Sequence, residues 1–126
     1  MDKRVVEWLK QADYDMDTAE FMAKGGRYFY AVFMCHLATE KALKGLYMHS
    51  LREVPPKTHN LVYLLNKIGL RPDARQSGVI ATLNEANITT RYPDDIEKLQ
   101  SKYTPAIAAG ILAGTQEILV WIRAQF

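Results

Sequence analysis

The stretch Tyr28-Phe29-Tyr30-Ala31-Val32-Phe33-Met34-Cys35-His36-Leu37-Ala38-Thr39-Glu40-Lys41-Ala42-Leu43-Lys44 decides the fold. Its first half is apolar on most sides of a 3.6-residue repeat. A helix of that kind must be central, packed by neighbours on more than one face. Its second half carries a polar ridge of His36, Glu40, Lys41 and Lys44. Gly25-Gly26 before it and Pro55-Pro56 after it bound a helix from about Arg27 to Ser50.

Outward from that centre the period stays helical. Val5, Trp8, Leu9, Ala12, Met16, Ala19 and Ala23 recur every three or four residues, predicting an amphipathic helix over 3–24 with Asp2 as N-cap. After the prolines, Thr58 is positioned to cap a short helix with the stripe Leu61, Leu64, Leu65 and Ile68, ended by Gly69 and Pro72. A further helix over about 73–89 buries Val79, Ile80, Leu83 and Ala86. Arg91-Tyr92-Pro93-Asp94 reads as a turn, because Tyr92 precedes proline. One or two helical turns are expected over 95–102. Thr104 and Pro105 open the last helix, with Ile107, Ile111, Leu112, Ile118, Leu119 and Ile122 as its stripe. No period-two segment or hairpin signal interrupts this pattern. The expectation is an all-α, single-domain, up-and-down bundle of four to five helices over residues 1–126.

Sixteen basic residues against fourteen acidic ones leave a formal charge of +2, too little for nucleic-acid binding by bulk charge; such binding needs a local cluster. The single cysteine, Cys35, lies within an apolar pattern and reads as a buried thiol in a reducing cytoplasm. No leader-like run opens the chain. The uncharged stretch Tyr103–Gln116 is shorter than the roughly 20 residues a membrane span needs, so no membrane association is expected.

Metal-binding bundles use Glu-x-x-His pairs, and none of the seven glutamates has a histidine three residues on, so no metal is expected. No phosphate loop, nucleophile elbow or paired-cysteine spacing is present, and no cofactor is implied. Three features carry chemistry. Asp15 falls on the apolar stripe of the first helix; either a cation from the second helix or Arg91 pairs with it, or it sits at the stripe's edge in water. Glu40 and Lys44 have ion-pair spacing, although Lys41 and Lys44 could instead line a groove. His59, in Lys57-Thr58-His59, lies at a helix N-terminus that attracts anions, and Arg91 lies at or just past a helix end. Ala109, Gly110, Ala113 and Gly114 make a small-residue face, for packing within the bundle or for a homodimer seam.

Trp8-Leu9-x-x-Ala12-x-x-Asp15-x-x-x-Ala19, Tyr30 and Phe33, Ala38-x-Glu40-Lys41-Ala42-Leu43-Lys44, Thr58-His59-Asn60-Leu61, Leu64-Leu65 and Arg91-Tyr92-Pro93-Asp94 occur in that order. The series resembles the HEPN family (higher eukaryotes and prokaryotes nucleotide-binding domain) over nearly the whole chain. That resemblance implies a helical homodimer that binds a nucleotide or RNA phosphate and acts with a minimal nucleotidyltransferase, as in toxin–antitoxin pairs. Lys41, Lys44, His59, Arg91 and Tyr92 would contact the ligand, with Asp15, Glu40 and Asp94 in support. Some HEPN proteins are metal-independent ribonucleases whose motif is an arginine, four to six residues, then a late histidine. Arg91 has no histidine after it. Arg52 and His59 have six residues between them but flank the Pro-Pro break, and Glu53 stands where the family more often has asparagine, aspartate or histidine. They are the residues an endoribonuclease reading would use. A non-catalytic dimerisation module is the third reading.

Overall fold

A computed structural model describes residues 1–92 and 94–126; Pro93 of the Arg-Tyr-Pro-Asp motif lies outside the described residues. Six helices are present and no strand among the described residues: α1 (Lys3–Lys24), α2 (Tyr28–Leu51), α3 (Leu61–Ile68), α4 (Ala74–Arg91), α5 (Ile96–Lys102) and α6 (Pro105–Arg123). The count exceeds the four to five expected, because 95–102 closes into a true helix capped by Asp95, whose carboxylate accepts from the Glu97 and Lys98 amides.

The long helices run up, down, up, down. Trp8 meets Gly45 and Asp15 meets Lys41, so α1 and α2 are antiparallel. Arg123 reaches Asp13, and Gln116 reaches Glu20, which sets α6 antiparallel to α1. Arg75 pairs with Glu117 across α4 and α6, again antiparallel. As its apolar first half requires, α2 is central and packs against all five other helices. Leu43, Leu46, Leu61, Leu64, Ile80, Leu83, Ile118 and Ile122 are fully buried around it. Burial of each such side chain contributes about 2 kcal/mol.

Local chemistry sets the ends. Asp2 caps α1, Thr104 caps α6 ahead of Pro105, and Asp73 with Gln76 forms a reciprocal capping box on α4. The start of α3 differs from expectation: Asn60, not Thr58, is its N-cap and accepts from the Tyr63 amide. Thr58 sits two residues earlier, its hydroxyl accepting from the Asn60 amide at 3.2 Å.

Two glycines permit close approach. A side chain at Gly45 would come within 3.2 Å of Trp8 Cβ, so α1 lies tight against α2. At Gly114 it would come within 3.1 Å of Val79, so this member of the small-residue face packs α6 against α4. Ala109, Gly110 and Ala113 face outward. Extended to Arg123, α6 is long and apolar enough to cross a membrane by length and composition alone. Here it instead packs against α1, α2 and α4. Cys35 is fully buried, and burial pushes its thiol pKa up to about 12.

Candidate anion-binding site

Phe33, His36, Glu40 and Lys44 follow one another at intervals of three and four residues, so they share one face of α2. His59 and Arg91 lie over that same face. The Arg91 guanidinium sits 5.0 Å from the centre of the Phe33 ring. Seven residues further along, about 10 Å by the helical rise, His59 Nδ1 lies 2.7 Å from Glu40 Oε1.

His59 is fixed from three directions. Its ring is tied to Glu40, and its carbonyl accepts from His36 Nε2 at 2.9 Å. The start of α3 beside it is pinned by Asn84 of α4, whose Oδ1 accepts from the Leu61 amide at 2.9 Å and whose Nδ2 donates to Asn60 Oδ1 at 3.0 Å. The His59 side chain is nonetheless 51% exposed. With Nδ1–H donating to the carboxylate, Nε2 is the unengaged nitrogen, with no hydrogen-bond partner among the described residues.

Glu40 is buried and accepts both from His59 and from Lys44 Nζ at 3.0 Å. Lys44 is itself buried, and its ammonium sits 5.8 Å from the centre of the Trp8 ring. It therefore neutralises Glu40 from behind and does not reach the surface. The i,i+4 pair read from sequence is present, but inside the protein. Asp15 is also buried, and its partner is Lys41, 2.8 Å away; the contact is an ion pair off hydrogen-bond alignment, and Asp15 Oδ2 has no other partner. Lys41 keeps a fifth of its side chain exposed, on the α1 side of α2.

Arg91 differs from both lysines. Its guanidinium donates only to the neutral Asn87 Oδ1, at 3.3 and 3.2 Å, and has no carboxylate partner among the described residues. Lys41, Lys44 and Arg91 thus stand against Asp15 and Glu40, leaving one cation uncompensated, at Arg91. Tyr92 beside it is 72% exposed at the end of α4, and Asp94 is exposed without an ion pair among the described residues.

His36 lies beneath the two. It is fully buried, and burial pushes its pKa down to about 4 against the opposing pull of its bond to the His59 carbonyl and of the Glu40 carboxylate. Neutral, and donating from Nε2 to the His59 carbonyl, it holds a bare lone pair on Nδ1, which has no hydrogen-bond partner among the described residues.

Arg52 is elsewhere. It ends α2 in a left-handed conformation, φ 55°. Twelve residues past Glu40, it lies about 18 Å along the helix from the residue that holds His59. It lines a separate cavity of about 370 Å³ with Arg4, His49 and Glu53. Within one chain, Arg52 and His59 do not share a site; Arg91 is the arginine on the His59 face. Sequence reasoning missed Phe33, Asn87 and Asn84 as the residues that seat Arg91 and His59. The i,i+4 spacing of Asn87 and Arg91 was the one local signal of this support.

A model of the HEPN domain matches residues 5–125. The chain belongs to the HEPN family. Two solved structures share this HEPN fold nearly end to end. TT1696 from Thermus thermophilus is 28% identical with a TM-score of 0.82, covering 99% of this chain and 100% of that one. ST0689, an archaeal HEPN homologue, is 26% identical with a TM-score of 0.77, covering 98% of each chain. No curated protein sequence matches the chain.

Proposed function

We propose that this HEPN protein binds the phosphate of a nucleotide or RNA on the α2 face between Arg91 and His59, and acts with a minimal nucleotidyltransferase partner in a toxin–antitoxin pair. One observation carries the binding site: the Arg91 guanidinium is held in place by Phe33 and Asn87 with no carboxylate partner among the described residues. A phosphate supplies that charge with bidentate geometry. Exposed Tyr92, next in the chain, would stack on a base. Lys41 lies on the adjoining side of α2 with part of its side chain in solvent. The family resemblance supports the nucleotidyltransferase partner and the pairing of two copies. The outward Ala109, Gly110 and Ala113 of α6 offer a surface for the second copy.

Calorimetric titration with ATP and with short RNAs tests the binding. Arg91→Ala is expected to weaken whichever ligand binds by tenfold or more, the loss of a charge-assisted contact of about 1.5–3 kcal/mol. Absence of binding to wild type, or equal binding by Arg91→Ala, overturns the reading.

The Glu40–His59 pair favours a second reading, metal-independent RNA cleavage. A buried carboxylate that orients Nδ1 leaves Nε2 to accept the proton of a ribose 2′-hydroxyl. The 2′-oxygen then attacks phosphorus as the bond to the 5′-oxygen breaks, the 5′-oxygen takes a proton from solvent water, and a 2′,3′-cyclic phosphate remains. On this geometry Arg91, not Arg52, stabilises the phosphate charge. Purified protein would then cleave RNA in EDTA. His59→Ala would abolish cleavage, and Arg52→Ala would leave it intact; loss in both equally would contradict the assignment.

A further inference from the structure

At the opening end of α2, away from the residues described above, the α1–α2 turn, α5 and the α5–α6 corner enclose a cavity of about 440 Å³. That volume suits a small organic molecule. Its wall is aromatic: the Phe29 and Tyr30 ring centres lie 4.5 Å apart at a tilt of 37°, and Tyr28 and Tyr103 also line it. Tyr103 contributes its ring alone, since its hydroxyl is bonded to Thr89 at 2.9 Å. Tyr30 and Ile96, both lining the cavity, are 51% and 59% exposed, apolar surface that a flat ligand would cover.

The charge on the polar side of the cavity is positive. Arg27 is the charged residue of the lining, no carboxylate accompanies it, and it makes no ion pair among the described residues. The cavity also opens on the first turn of α2. No side chain caps that turn, and the amides of Tyr28, Phe29 and Tyr30 find no acceptor among the described residues. Gln100 offers an amide from the α5 side.

We propose that this cavity binds an aromatic phosphate monoester. Its ring would lie against the Phe29–Tyr30 wall and Ile96, and its phosphate would face Arg27 and the amides of α2. A ring and an anion in one ligand would use both the aromatic side and the Arg27 side of this open cavity; neither part alone uses both. The site begins one turn of α2 before Phe33, and its lining includes none of Phe33, His36, Glu40, His59 and Arg91.

Phenyl phosphate is the probe, followed by amide shifts in two-dimensional NMR, with inorganic phosphate and phenol as the single-part ligands. Saturable shifts are expected at Tyr28, Phe29 and Gln100, with each single-part ligand at least tenfold weaker. Arg27→Gln, a surface-turn substitution, should weaken phenyl phosphate at least tenfold. Arg91→Ala should leave it within twofold. Shifts confined to the His59–Arg91 face, no saturable shift, or unchanged affinity in Arg27→Gln overturn the proposal, whatever the outcome of the ATP and RNA titrations.

Discussion

Glu40→Ala is expected to lower the unfolding free energy by about 3–5 kcal/mol, the usual cost of leaving one member of a buried ion pair alone. Lys44 has no other carboxylate partner among the described residues and lies buried against Trp8, so its ammonium would stay desolvated and unpaired. His59 would lose the contact that orients its ring. Denaturant titration measures the effect directly. The double change Glu40→Leu with Lys44→Met removes both charges and should recover most of the loss, because two apolar side chains replace a pair that gained little over its desolvation. A single-mutant loss below about 1 kcal/mol would mean that water reaches Lys44 and that the α2 face is more open than its burial indicates. The double variant also separates fold from function. A well-folded protein that no longer binds phosphate would show that the buried pair matters through His59.

Acidification should destabilise the protein by about 2 kcal/mol between pH 7 and pH 5 through His36 alone. The folded imidazole takes up its proton only near pH 4, against an ordinary value of 6.5. Above 6.5 both states are neutral and the residue contributes no pH dependence. Between 6.5 and about 4 the unfolded chain binds a proton that the fold excludes, so stability falls as pH falls. Protonation would also place a donor on Nδ1, where no acceptor waits. Thermal unfolding of wild type and His36→Gln over this range checks the sign. The glutamine keeps an N–H for the His59 carbonyl and does not titrate, so its curve should be flatter by that 2 kcal/mol. Parallel curves would refute the assignment.

Most of the scaffold can be read from the chain because its helix ends carry their own chemistry. Asp2, Gly25-Gly26 and Thr104-Pro105 act within a turn of where they stand, and the bounds of α1 and α6 follow from them. α5 was harder. Only Leu99 is buried there, and one apolar contact makes no period. The choice between Thr58 and Asn60 as cap depends on Asn84, 24 residues away, which no local rule reveals.

The candidate site was legible as a set of residue types and illegible as a geometry. Two possible partners for Asp15 came from its place on the apolar stripe; selecting Lys41 required the antiparallel meeting of α1 and α2. Lys44 reads as a surface residue until Trp8 covers it. Arg52 and His59 are close in sequence, yet the chain between them doubles back along α2 and carries them apart. Arg91, distant in sequence, arrives on the same α2 face as His59, about 10 Å along the helix, because α4 runs antiparallel to α2 and ends over Phe33.

The sealed thiol of Cys35 has a practical consequence. Fully buried, with its ionisation displaced to about 12, it is a poor nucleophile in the native protein. Maleimide dyes and spin labels would therefore ignore the wild-type background and attach only where a new cysteine is introduced. Tyr92→Cys and Gln100→Cys would give two reporters, one at each proposed binding site, whose signals distinguish ligand arrival at one from arrival at the other.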